Sequence, residues 1–304
     1  MNRRSLLALA LVLPATFALA ADGNFDKTLT VNAAPAVTIS TGAGYVHVYN
    51  GADNQIHITG HVHASLGLFG SDADADARVK QIIASPPITQ SGDTITIGTP
   101  HSDPGIFHNI AIDYDVTTPR ASTLKAHTGS GSMEIGGISG TVTADSGSGS
   151  IHADNIGPNC RITTGSGRIQ ATNVHGGATL ETGSGSMELT VSAPGDVKAQ
   201  TGSGSIHIDG VAGALRAGTG SGSIEVAGNP TDEWRVGTGS GSIRLHLAPN
   251  SHFTLNAETG SGSIHVNQPI LTQGDMSKHR ITGAVNGGGP TLRASTGSGS
   301  ITLE

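Results

Sequence analysis

Two rows of side chains, recurring mostly at intervals of 18 or 19 residues, carry the chemistry this sequence can offer. The first runs Lys125, Thr143, Arg161, Thr179, Lys198, Arg216, Arg235, Asn256 and Arg293. The second runs Glu134, His152, Gln170, Glu188, His207, Glu225, Arg244, His265 and Thr302. The first row holds the cations Lys125, Arg161, Lys198, Arg216, Arg235 and Arg293 and no acid. Set about 4.8 Å apart on stacked strands, they would form a basic stripe suited to a polyanion such as an anionic envelope glycan. The competing account is a solvated edge. Asp145 and Glu181 stand where they can pair with Arg161 on neighbouring rungs, and exposed pairs of that kind contribute roughly 0 to 1 kcal/mol each.

Other candidates read more simply as structure. His47, His57, His61 and His63 suggest zinc or copper ligands on adjacent strands, but no Cys or second spaced pair completes a site. Asp72-Ala73-Asp74-Ala75-Asp76 opens like a calcium loop, yet Ala77 and Ile83 stand where Gly and Glu are needed. Acidic residues at the start of a helix account for it. Calcium-binding β-rolls place Asp in their Gly-rich turns, whereas here the turn carries Ser. The serines have no base at fixed spacing, so nucleophilic catalysis is not expected. A polysaccharide-degrading β-helix enzyme would need carboxylates gathered with Arg or Lys in one groove, and here the charges are spread. The expectation is a non-enzymatic protein with no catalytic residue, metal or cofactor. A net charge of −7 argues against nucleic acid as partner.

The elements that must position these rows are short and repeated. The phrase TGSGSI at Thr201–Ile206 recurs in variants that place Met133, Ile151, Ile169, Met187, Ile206, Ile224, Ile243, Ile264 and Ile301 after a Gly-Ser-Gly. Nine residues before each stands another core candidate: Leu124, Val142, Cys160, Ala178, Val197, Leu215, Trp234, Leu255 and Leu292. Alternation such as Ile206/Ile208 marks half-buried strands. The change of parity across Gly-Ser-Gly requires a bend there, and positive φ is the property of glycine that would supply it. Cys160 and Trp234 read as core fillers. With 45 glycines and 3% aromatics, the interior must be thin.

The fold class that follows is all-β, a parallel β-solenoid (β-helix) with coils of about 18 residues. Residues 1–20 read as a signal peptide, with Arg3-Arg4 before an apolar run and Ala18-Leu19-Ala20 at its end. Residues 21–123 form an N-terminal β-rich region with an early coil at VTISTGAGYVHV, continuing toward Ile56, and a helix-containing insertion over Ser71–Ala84. This region is expected to cap the stack. Residues 124–304 form the repeat solenoid. Its last coil, ending at Ile301-Thr302-Leu303, is expected to leave that end of the stack uncapped and open to end-to-end self-association.

Val46-His47-Val48, the strand ending DVTTP, the serial TGSGSI units and the closing GGGPTLRASTGSGSITL resemble the bacterial "putative adhesin" family of unknown function, whose members carry β-strand repeats outside the cytoplasm. The resemblance implies a β-solenoid with an envelope or surface role and brings no catalytic residue. The functional expectation is an exported scaffold, periplasmic, cell-surface or secreted, contacting an envelope glycan or a surface protein. No transmembrane segment is expected in the mature chain. The alternative is a purely structural or envelope-stress-associated protein without a ligand.

Overall fold

The computed structural model describes residues 22–64, 73–98, 105–272 and 277–304. The leader expected at 1–20, Asp72 and the start of the predicted helix lie outside these residues. Each coil is built as the alternation predicts. In the coil 197–211, Val197–Thr201 buries every second residue before the Gly-Ser-Gly corner, and Ile206–Val211 after it buries Ile206, Ile208 and, past a register shift, Val211. Val197 pairs in parallel register with Ala178 and Leu215, and Ile206 with Met187 and Ile224. Repetition gives a thirteen-stranded and a fourteen-stranded sheet among the described residues, whose inward side chains share one core.

Core positions follow the sequence rows. Leu124, Val142, Cys160, Ala178, Val197, Leu215 and Trp234 are all buried. The Trp234 indole N–H donates to the Gly213 carbonyl at 2.9 Å, so a large ring sits inside without an orphaned donor. Burial pushes the Cys160 thiol up to about 12, which removes it as a thiolate nucleophile at neutral pH.

The corner glycines meet a different demand from the one expected. A Cβ on Gly131, Gly149, Gly167, Gly185 or Gly204 would stand 1.8 to 2.1 Å from the carbonyl oxygen of the equivalent glycine one coil back. None of these five has positive φ. Glycine is required there by close backbone approach, and only Gly222, Gly241, Gly262 and Gly299, with φ between +145° and +158°, add the conformational demand.

The threonine that opens each phrase is a buried staple. Thr182 Oγ1 donates to the Gly167 carbonyl one coil back at 3.2 Å and accepts the Gly185 N–H of its own corner at 3.1 Å. Thr128, Ser146 and Thr164 make the same two bonds. Thr182→Val should leave both backbone groups unpaired and cost about 1–3 kcal/mol. Thr182→Ser should retain most of the stability, since Ser146 already fills this place in its coil; urea midpoints of the two variants provide the comparison.

Order along the stack departs from order along the chain at both ends. Val46–Asn50 lies between Ile110–Thr118 and Met133–Gly136, and Ala36–Thr41 lies between Thr94–Gly98 and Thr123–Thr128. The early coil therefore continues to Leu124 and not to Ile56. The turn around Asp53 reverses the chain, and Gln55–Ala64 runs antiparallel between Asp22–Thr30 and Ile110–Thr118. The helix Ala73–Ala84, with Asp74 and Asp76 in its first turn, packs on these strands through buried Val79 and Ile82.

At the other end the expected open terminus is corrected. Thr291–Ser298 lies between Trp234–Ser240 and Phe253–Ser261, and Ile301–Leu303 lies between Ile243–Leu247 and Ile264–Val266. The outermost coil is 253–266, covered in the fourteen-stranded sheet by the antiparallel strands Arg280–Val285 and Ile270–Thr272. Antiparallel strands cannot continue a parallel stack, so the segment carrying them is confined to its end and the final coil fills the place inside.

Candidate functional site

The predicted basic row lies in register on the outer face of the fourteen-stranded sheet. Lys125 pairs across to Thr143, Thr143 to Arg161, Arg161 to Thr179 and Thr179 to Lys198. Lys198 then meets Arg216, Arg216 meets Arg235, and Arg235 meets Arg293. Asn256, which separates Arg235 from Arg293 in the sequence row, falls outside Arg293. Insertion of the last coil thus sets four cations on consecutive rungs, spanning about 14 Å, while Lys125 and Arg161 stand apart behind threonines.

Acids hold part of this row. Glu181 pairs with Arg161 at 2.8 Å and with Lys198 at 2.6 Å. Glu233 takes Arg235 in a bidentate contact with both bonds 3.0 Å long, and Arg293 Nε lies 3.8 Å from it. Arg216 makes no ion pair among the described residues and is exposed. Lys198, Arg216 and Arg235 border a cavity of about 370 Å³ whose other polar side chains are Thr179, Asp196, Asp232 and Glu233. Asp196 accepts the Ala214 N–H at 3.0 Å, which fixes the cavity's loop edge. Ala178 and Ala214 contribute to the floor, and Asp232 and Glu233 of the loop before Trp234 supply the acidic rim. The row periodicity did not point to Glu233; its signal was its place in the longer loop beside Trp234.

The hydrogen bond from Lys198, followed by the charge of Arg161, holds the Glu181 carboxyl below its ordinary range. A lowered carboxylate stabilises the folded state above the ordinary glutamate value of about 4.3 and loses that contribution as pH falls through the lower folded value. The advantage of the wild-type chain over Glu181→Gln should accordingly be present at neutral pH and vanish on acidification, as measured by urea midpoints across the acid range. Acidification also releases Arg161 and Lys198 from their shared anion.

The predicted histidine group is on the other sheet. Asp115 holds His47 Nδ1 at 3.0 Å and His61 Nε2 at 3.3 Å, and Asp113 holds His63 Nε2 at 2.9 Å. His57 lies 3.7 Å from Asp26. Among the described residues, no group of three or more His, Cys, Asp or Glu is arranged to hold a metal ion. The histidines are spent on carboxylates of the neighbouring strands.

A two-sheet parallel β-solenoid with intercalated end coils and charged outer faces defines the class of this protein. The chain belongs to the Toastrack DUF4097 family, whose model matches residues 30–304. No curated protein matches the sequence. Among solved structures, the chain is similar to a "putative adhesin" from Bacteroides fragilis, with 12% identity over 93% of this chain and 97% of that one and a TM-score of 0.40. It is similar to a "putative lipid binding protein" from Parabacteroides distasonis, at 14% identity, 92% and 96% coverage and a TM-score of 0.40. A "putative cell adhesion protein" from Clostridium sporogenes matches at 11% identity, 92% and 99% coverage and a TM-score of 0.22.

Proposed function

We propose that this protein is a rigid, non-enzymatic binding scaffold of the bacterial envelope whose basic row captures an anionic polymer. One observation carries the reading: Lys198, Arg216, Arg235 and Arg293 occupy consecutive rungs, with Arg216 free of any ion pair among the described residues. A fixed repeat of cations suits a ligand with a repeat of anions, because the sheet has already ordered the side-chain bases before binding. The leader-like residues 1–20 support export, and no helix among the described residues is long and apolar enough to cross a membrane.

The ion pairs of Glu181 and Glu233 favour a second reading, in which the row is a solvated edge of a purely structural protein. Self-association through strand edges is a further part of the proposal. In the thirteen-stranded sheet the edge at the outermost coil is only Ile264–Val266, where the Ile264 N–H is already taken by the Lys278 carbonyl at 3.2 Å.

Binding of the chain without residues 1–20 to a panel of anionic envelope glycans and peptidoglycan, at low and high salt, separates the readings. The variant carrying Lys198→Thr, Arg216→Thr, Arg235→Thr and Arg293→Thr should bind at least about tenfold more weakly at low salt, a loss of about 1.4 kcal/mol or more. Equal binding by both proteins would move the contact away from this face. Absence of binding by either would leave the structural reading.

A further inference from the structure

Among the described residues, the aromatic side chains lie inside with two exceptions. Phe25, Tyr114, Trp234 and Phe253 are buried, and Phe107 packs against the core. Tyr45 and Tyr49 instead share the outward parity of Val46–Asn50 with His47, and Tyr49 is 41% exposed. The sequence Tyr45-Val46-His47-Val48-Tyr49 shows this alternation, but its significance depends on what the neighbouring strands bring to it.

They hold the rings in place. The Tyr45 and His47 rings stack with centroids 4.3 Å apart at 23°. Tyr45 Oη donates to Asp115 Oδ2 at 3.2 Å, and His47 Nδ1 lies 3.0 Å from Asp115 Oδ1. Asp113 Oδ1 accepts the Tyr45 backbone N–H at 2.8 Å. The Tyr49 ring lies across Gly136 on the next strand, where a Cβ would come within 2.9 Å of it. The platform is fixed before any ligand arrives, so little side-chain entropy is lost on contact.

A cavity bordered by polar side chains meets it at His47. His47, Glu134, His152 and Gln170 stand side by side on four parallel strands, and with Arg168 they line a space of about 220 Å³. An exposed ring face beside planar donors and acceptors meets both needs of a pyranose. Its C–H face packs on an aromatic surface, and its hydroxyls exchange hydrogen bonds with carboxylate, imidazole, amide and guanidinium groups. The carboxylates of Asp113, Asp115 and Glu134 would repel an acidic sugar.

We infer that this face is a second binding site, for a neutral saccharide, with Tyr45, His47 and Tyr49 as the stacking platform and Glu134, His152 and Gln170 as its hydrogen-bonding border. It lies on the opposite sheet from the basic row and stands independently of the proposal made for that row.

The test is titration of the chain with neutral glucose, mannose and N-acetylglucosamine oligomers at high salt, read by tyrosine fluorescence and calorimetry. Saturable binding to at least one of them is expected. Tyr49→Ala should weaken it at least tenfold, Tyr49→Phe should keep it, and Arg216→Thr should leave it unchanged. Because Tyr49→Ala also uncovers Gly136, His152→Ala, two strands from His47 on the cavity border, is measured beside it and should weaken binding without lowering the thermal midpoint. No binding to any of these sugars at millimolar concentration overturns the inference, as does binding that Tyr49→Ala and His152→Ala leave intact.

Discussion

Gly185→Ala should lower stability by about 3 kcal/mol or more, placing it at the upper end of overpacking effects. The added methyl would lie 1.8 Å from the Gly167 carbonyl oxygen, and that obstacle is backbone in the neighbouring coil. Relief requires the two coils to separate, which would break the Thr182 staple to Gly167 and the parallel ladder on both sides of the corner. Ser184, an exposed residue of the same corner, provides the control: Ser184→Ala should change stability by no more than about 0.5 kcal/mol. Denaturant melts of the two variants measure the difference. A Gly185→Ala protein as stable as the wild type would mean that the corners are not packed as tightly as described.

Removal of residues 287–304 should have an effect unlike that of trimming an end repeat. In a linear array an end unit can be lost while the others stay folded, because each contacts only its neighbours. Here the deleted coil is internal, with Leu292 between Trp234 and Leu255, and Ile301 between Ile243 and Ile264. Its loss should detach the coil 253–266 and the strands Ile270–Thr272 and Arg280–Val285 together. Hydrogen exchange should then show these segments unprotected, while protection persists in the coils through 215. Retained protection of Phe253–Ser261 would show that the outer coil can close directly onto Trp234–Ser240.

The coil, its register and its core were legible because a nine-residue spacing between two alternating strands admits few other arrangements. Val197 and Ile206 could be placed inside from spacing alone. The order of the last two coils was not legible. Leu255, Ala257, Thr259 and Ile264 in one match Leu292, Ala294, Thr296 and Ile301 in the other, so nothing in the inward pattern states which meets Trp234. What decides it is the antiparallel pair that follows 253–266 and needs an edge. For the same reason the contiguity of Arg235 and Arg293 was hidden, although each residue had been singled out. The glycine corners were located correctly and explained incompletely, because close approach between coils is a property of the stack and has no local signature. The platform of Tyr45, His47 and Tyr49 was also missed: Asp113, Asp115 and Gly136 reach it only through strand pairing.

Capped and buttoned at each end, the stack has its freedom of growth in the middle. Duplication of an internal coil such as 178–196 would leave both closures untouched. It would lengthen the molecule by about 4.8 Å and add one side chain to every outward row. Reach and the number of ligand contacts are therefore quantities that such a lineage can adjust in single-coil steps, as a ruler is extended by whole divisions while its two ends stay the same.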